Sequence, residues 1–411
     1  MSSNPWAWVP TLYFAEGIPY FIVNVISVTM FKRLGMSNGD VAAYTALLYL
    51  PWVIKPLWSP FVDVIRTKRW WILAMQALVT VGFAALALSV SPDAFGLSIV
   101  CFYIIAFASA THDIAADGFY LLALDERDQS LFVGIRSTFY RISSVFGQGV
   151  IVVLAGVLEE RLGDIPAAWS LTIGGASLLF ALLALWHLFS LPKVENAAHD
   201  KAPGDILKDF SRAWVTFFRK DGVWLAIVFM LLYRLPEALS VKMLTPFLLD
   251  SVQDGGLGLS TAASGLVYGT VGVIALTVGG ILGGVFAASN GLRRSLWPMS
   301  LALALPCAVY LYMAVAQPSA MWVVYLCVAF DQLGYGFGFT AYMLYMMRFS
   351  EGEFKTSHYA ICTAFMALSM MLPGFFAGWL QEAAGYVGFF TIVMLCCLAT
   401  VSVTFFARRR C

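Results

Sequence analysis

Charge is what this chain has least of. Asp, Glu, Lys and Arg make up 12% of its 411 residues and apolar types 60%, where an ordinary soluble domain carries about 25% charged residues; a water-soluble globular protein is excluded. Neither sign dominates, since 25 Lys and Arg face 24 Asp and Glu, and nothing in that balance invites nucleic acid. Four histidines are too few for a His-rich ligand set, and no nucleophile–base pair stands at a helix end, so no enzyme, metal site or cofactor is expected. No Gly-rich loop ending in Gly-Lys-Ser/Thr occurs and no polar stretch is long enough for an ATPase domain, so any transport has to be secondary. Of the seven cysteines, six (Cys101, Cys307, Cys327, Cys362, Cys396 and Cys397) lie inside apolar runs without metal-ligand spacing and read as small apolar side chains. No basic segment precedes the first apolar run at Trp6, so that run reads as a retained span, not a cleavable signal.

What the chain does have is apolar runs at residues 6–31, 40–62, 70–90, 95–122, 131–157, 167–190, 223–249, 261–288, 295–315, 320–347, 357–380 and 385–406. Each is long enough for a helix crossing the bilayer, which needs about 20 residues, and none shows the ten-residue alternation of a membrane barrel. The fold class that follows is an all-α integral membrane protein of twelve spans in two six-helix halves. Residues 1–190 form one bundle, 191–222 a cytoplasmic linker and 223–411 the second bundle. In the linker, Ile206, Phe210, Trp214, Phe217 and Phe218 recur at helical spacing beside Lys208, Arg212 and Arg219. The segment is either a surface-lying amphipathic helix or a solvated connector. With both termini inside, 17 Lys and Arg fall in inner segments and three (Lys32, Arg33 and Arg161) in outer ones, the bias expected for cytoplasmic ends.

The halves echo each other. Gly35-Met36-Ser37 returns as Gly258-Leu259-Ser260, and Tyr120–Leu158 aligns without gaps on Tyr342–Leu380; repeats of the same direction flank a central site. Between spans two and three, Ser59-Pro60-Phe61-Val62-Asp63 followed by Arg66, Lys68 and Arg69 resembles the small-x-x-x-Asp and basic loop of the major facilitator superfamily. There the acid caps a helix N-terminus and the bases meet helix C-termini and acidic lipid heads, forming a gate. The second half keeps Gly283, Gly284, Arg293 and Arg294 but no matching acid.

Ten ionisable residues sit inside the apolar runs: Glu16, Asp113, Asp117, Glu237 and Asp331 against Lys55, Arg136, Arg141, Arg234 and Lys242. Each costs several kcal/mol (~2.5 to 3.5 on insertion scales) unless it faces a partner or water, so all must look inward. Structural pairing of five acids with five bases and a functional role both fit that requirement. Pro19 and Pro236 fall at corresponding places in spans one and seven beside Glu16, Arg234 and Glu237, and broken helices in related positions point to a transport site. Tyr13, Glu16, Tyr20, Asn24 and Ser27 fall on one face of span one, a polar and aromatic stripe suited to a sugar. Asp113 and Asp117 are one turn apart beside His112; carboxylates at that spacing hinder each other's ionisation, so a proton can be carried there. Lys55, near Trp52, and Arg141, beside Tyr140, are donors for a carboxylate. His358, near the inner end of span eleven beside Tyr359, reads as structural.

These residues carry a resemblance. Phe14-Ala15-Glu16-Gly17-Ile18-Pro19, Lys55-Pro56-Leu57-Trp58-Ser59-Pro60 through Asp63, Ser109 through Ile114 with Asp117, Tyr140-Arg141-Ile142, Leu232 through Leu235 with Glu237-Ala238, Phe330-Asp331 and Ala377-Gly378-Trp379 resemble the AmpG-type muropeptide permease family. That family is a branch of the major facilitator superfamily that also holds acetyl-CoA transporters. The resemblance covers six of twelve helices in order; Glu16 and His112 stand where members often have small or amide residues, a departure that bears on the substrate and not on the architecture.

The resemblance implies import of anhydromuropeptides or amino-sugar disaccharides into the cytoplasm by proton symport across the bacterial inner membrane, for peptidoglycan recycling. The partners expected are the solute, protons and lipids, with the chain acting as a monomer. On this reading Asp113, Asp117, Glu16 and Glu237 handle protons, and Asp63, Arg66, Lys68 and Arg69 form the gating loop. Tyr13, Tyr20, Asn24, Trp52, Lys55, Tyr140, Arg141, Tyr233, Arg234 and Asp331 bind substrate. The rival reading is a proton-coupled exporter or importer of another polar solute, such as a drug, a siderophore or an acetyl-CoA-like compound.

Overall fold

The computed structural model describes residues 4–194 and 203–409, among which only helices, turns and loops occur. Span one comprises α1 (Val9–Phe21), a π-helical turn Ile22–Ile26 and α2 (Ser27–Arg33); span two comprises α3 (Asn38–Leu47) and α4 (Leu50–Val64). Spans three and four are α5 (Lys68–Leu88) and α6 (Phe95–Ala123). Span five joins α7 (Glu126–Val145), the π-turn Phe146–Ile151 and α8 (Val152–Leu162), and span six is α9 (Ile165–Ser190).

After the amphipathic α10 (Pro203–Phe218), span seven joins α11 (Val223–Leu232) and α12 (Leu235–Leu249). Span eight holds α13 (Thr261–Ser264), the π-turn Gly265–Gly272 and α14 (Val273–Asn290). Span nine is α15 (Leu292–Ala304) with α16 (Ala308–Ala316), and span ten α17 (Met321–Phe349). Spans eleven and twelve run together as α18 (Lys355–Arg408), which turns at Gly385, where φ is 66° and ψ 172°. A side chain is strained at that φ and glycine is not, which lets two helices meet without a loop.

Local chemistry sets the boundaries. Ser37, Thr67, Asp125, Asp164 and Ser260 each accept a hydrogen bond from the backbone N–H two or three residues on, as N-caps do. Gly163 closes α8 in the left-handed conformation. Spans one and seven are both interrupted near their prolines. Pro19 lies three residues before the π-turn of span one, and Pro236 opens α12 just after the non-helical Arg234. Proline removes a backbone donor and crowds the preceding turn.

Two compact units form, Met1–Leu34 with Ile54–Ser211 and Gly35–Val53 with Arg212–Cys411. The first half of span two therefore belongs with the second unit, a partition that the run of apolar residues does not carry. Its cause is close backbone packing. A Cβ on Gly378 would fall 2.0 Å from the Asn38 carbonyl oxygen, so α3 and α18 touch where neither has bulk. The Asn38 amide then donates to Gln381 at 2.7 Å and Asp250 at 2.9 Å, and Tyr386 donates to Asp250 at 2.6 Å. The Gly39 N–H donates to Glu382 at 2.7 Å.

The core of the first unit includes Trp8, Leu12, Phe119 and Phe132; that of the second gathers Phe229, Tyr233, Tyr342 and Met299, with a further cluster around Phe247, Tyr310 and Phe390. In α10, Ala213 and Phe217 are buried, and His358 sits 3.1 Å from both the Ala213 carbonyl and the Thr216 hydroxyl, a packing role. Just beyond, the Lys220 ammonium donates to the carbonyls of Phe349 and Glu351 at 2.6 and 2.7 Å. Partial burial pulls its pKa below the ordinary lysine value.

Candidate functional site

In the first unit, α1, α4, α6 and α7 bring three acids and two bases together. Lys55 on α4 forms an ion pair with Asp113 on α6. One turn on, Asp117 accepts from Arg136 of α7 at 2.7 Å and from the Tyr13 hydroxyl at 3.1 Å. The Arg136 guanidinium lies over the rings of Tyr13 and Tyr120, 4.4 and 5.1 Å from their centroids, which orients it as a cation–π contact does. Glu16, one turn along α1 from Tyr13, is buried within hydrogen-bond reach of Asp113. Its Oε2 meets no hydrogen-bond donor.

The geometry adds to the sequence expectation for Asp113 and Asp117, because each has its own cation. Within this cluster the acid that has no cation as a partner is Glu16. Arg136, which the sequence placed among the membrane charges without a role, is the missing member, and nothing in its sequence neighbours ranked it above the other bases. The Lys55 and Asp113 side chains remain 24% and 23% exposed, so the pair is not fully enclosed by protein.

Further along span one, Asn24 lies in the π-turn, where its Nδ2 donates to the Tyr20 carbonyl at 3.1 Å and its buried Oδ1 has no donor. π-turns of this kind frequently mark functional positions because they reaim a side chain. Tyr20 and Tyr140 both pack against Phe21, with centroids at 5.2 and 5.7 Å, and are partly exposed; Arg141 is exposed, with no ion pair among the described residues.

In the second unit the expected substrate residues pair inward. Arg234 pairs with Glu237 at 3.1 Å, donates to the Tyr335 hydroxyl oxygen at 2.7 Å and lies over the Phe339 ring at 4.7 Å. Arg234 and Glu237 thus pair with each other, where the sequence assigned them separately to substrate and proton. Tyr233 is fully buried and donates to the Gly338 carbonyl at 3.0 Å; it is a core tyrosine and not a sugar contact, because its hydroxyl is already used. Asp331 is buried and accepts from Tyr310 at 2.6 Å and from Gln332 at 3.0 Å, so neutral donors solvate it. Trp52 is half-buried in the segment that belongs to this unit.

The loop after span two is shaped as follows. Arg66 adopts a positive φ of 64°, and Arg69 donates to the Leu188 and Leu191 carbonyls at 2.6 and 3.1 Å, at the C-terminal end of α9. Lys68 is buried with its stem against Gly118, where a Cβ would come within 2.8 Å of its Cε. The Asp63 side chain lies outside the described residues. Among the described residues no cluster of three metal-ligating side chains occurs.

Comparison with known proteins agrees with this fold. The profile of the Major Facilitator Superfamily matches residues 11–355. The chain is 25% identical over 410 residues to the anhydromuropeptide permease of Escherichia coli strain K12, covering 96% of this chain and 79% of that one. Among solved structures it resembles an inward-facing, unoccupied bacterial homologue of the human lysosomal transporter Spinster, with a TM-score of 0.73, 14% identity and 98% and 95% of the two chains covered. It also resembles a D-xylose-proton symporter, with a TM-score of 0.71, 13% identity and 98% and 95% coverage.

Proposed function

Because the chain belongs to the Major Facilitator Superfamily, we propose that this membrane transporter, which is not an enzyme, imports peptidoglycan-derived anhydromuropeptides or amino-sugar disaccharides by proton symport. It does so as a monomer in the inner membrane with both termini cytoplasmic. Similarity to an anhydromuropeptide permease along 96% of the chain supports the substrate class. The inner excess of Lys and Arg supports the orientation.

The observation that carries the proton role is Glu16, a buried carboxyl without a cation beside the Lys55–Asp113 pair. A proton on Glu16 lets it donate to Asp113 and leaves Lys55 and Asp113 neutralised as a pair. Loss of that proton puts a second negative charge against Asp113, where the two carboxylates compete for one ammonium. The protonated and deprotonated forms thus favour different packings of α1 against α4 and α6, which is the differential free energy that proton-coupled alternating access requires. Tyr20, Asn24, Tyr140 and Arg141, partly exposed or unsatisfied, are the groups left to meet the sugar.

The test is uptake of labelled anhydromuropeptide into proteoliposomes. An imposed inward proton gradient accelerates uptake in the wild type; Glu16→Gln abolishes that acceleration while exchange of labelled for unlabelled solute at equal pH persists. Gradient-driven uptake unchanged in Glu16→Gln rejects the proton role, and absence of muropeptide flux in the wild type rejects the substrate class.

A further inference from the structure

Of the five bases inside the membrane segments, Arg141 is exposed, and Lys55, Arg136 and Arg234 each have a carboxylate. Lys242 does not. It lies in the middle of α12, 6% exposed, and among the described residues its one hydrogen bond goes to the Thr45 hydroxyl at 3.0 Å, with its Nζ 5.6 Å from the centre of the Tyr49 ring. Thr45 donates its own proton to the Val41 carbonyl at 2.6 Å, so the oxygen turned to Lys242 acts only as an acceptor. An ammonium has three N–H donors, and a single neutral oxygen with an aromatic face serves it poorly.

The cradle is built for the side chain. Gly374 of α18 faces its stem, and a Cβ there would come 3.2 Å from the Lys242 Cε and 3.4 Å from the Ala46 Cβ. An unpaired ammonium in such surroundings costs several kcal/mol unless an anion reaches it, and a hydroxyl is the weakest acceptor that can hold its place.

We propose that Lys242 is the anchor for a carboxylate of the transported solute, with the Thr45 hydroxyl as the place-holder that the carboxylate displaces. This rests on the reading of the chain as an importer of carboxylate-bearing wall fragments, and it moves the anionic contact from the bases the sequence first suggested to the buried membrane base that has no acid among the described residues. Arrival of the carboxylate also removes the tether between α3 and α12, so that binding loosens the first half of span two.

Thermal-shift titration of the purified full-length protein decides the matter with two probes, an anhydromuropeptide with free carboxylates and the same compound with its carboxylates amidated. The wild type binds the free acid roughly tenfold more tightly than the amide, the worth of one charge-assisted hydrogen bond. Lys242→Met binds both equally, Lys242→Arg retains the preference, and Thr45→Val increases it by removing the competing acceptor. A full preference surviving in Lys242→Met overturns the proposal. Should the wild type respond to neither probe, the importer reading fails. Lys242 is then judged by lactate and acetate against chloride at equal ionic strength: stabilisation lost in Lys242→Met supports the anchor, and an equal or absent effect overturns it.

Discussion

The two compact units treat their membrane charges in opposite ways. In the first, Lys55 and Arg136 pair with Asp113 and Asp117, Arg141 is exposed, and the buried group left over is an acid, Glu16. In the second, two acids and two bases are balanced in number but not in space. Arg234 and Glu237 pair, while Asp331 is held by a tyrosine and an amide and Lys242 by a hydroxyl. A surplus acid is a place for a proton; a surplus ammonium is a place for an anion. The contrast teaches that counting opposite charges says little about which are spoken for, because pairing is decided by distances of about 4 Å or less.

Four substitutions break or sharpen that contrast. The largest effect is expected from Glu16→Gln, which removes the surplus acid: gradient-driven uptake falls by about a hundredfold or more, the upper end of what one proton-transferring group contributes, while thermal stability is unchanged. Next, Asp113→Asn strands Lys55. A fall of about 2 kcal/mol in unfolding free energy is expected, below the range for fully buried pairs because this one is partly exposed, and denaturant titration in detergent measures it. Lys242→Met goes the other way, since removing an uncompensated buried charge raises stability by about 1 kcal/mol, read as a higher melting temperature. Should it destabilise as Asp113→Asn does, Lys242 has a structural partner and the distinction between the units fails. The smallest effect belongs to Tyr13→Phe, which removes one hydrogen bond to a half-exposed Asp117. About 0.5 kcal/mol is expected, with Arg136 keeping the carboxylate in place.

Much of the architecture was legible in the chain. Apolar runs of about 20 residues leave helices as the only spanning structure, because no water in the bilayer core satisfies an open backbone. The breaks near Pro19 and Pro236 followed from the missing backbone donor. Glu16, Asp113, Asp117 and Lys55 were singled out from sequence, and the structure gathers them. The positions where reading the chain fell short are those set by side-chain reach. Tyr233 looked like a sugar contact, but its hydroxyl is spent on the Gly338 carbonyl. Arg234 looked like a carboxylate receptor, but Glu237, three residues away on the same helical turn, already satisfies it. Arg136 and Lys242 stood among ten similar charges with nothing in their neighbours to rank them.

The amino-acid order alone determined that this is a twelve-span helical membrane protein, and where most of its helices start and stop, because hydrophobic length and capping are properties of contiguous residues. Tertiary structure decided which charges neutralise each other, which unit the first half of span two joins, and which acids and bases have no partner charge among the described residues. Those outcomes depend on residues as far apart as Asn38 and Gln381 or Thr45 and Lys242 coming within 3 Å, and no local pattern encodes such a meeting.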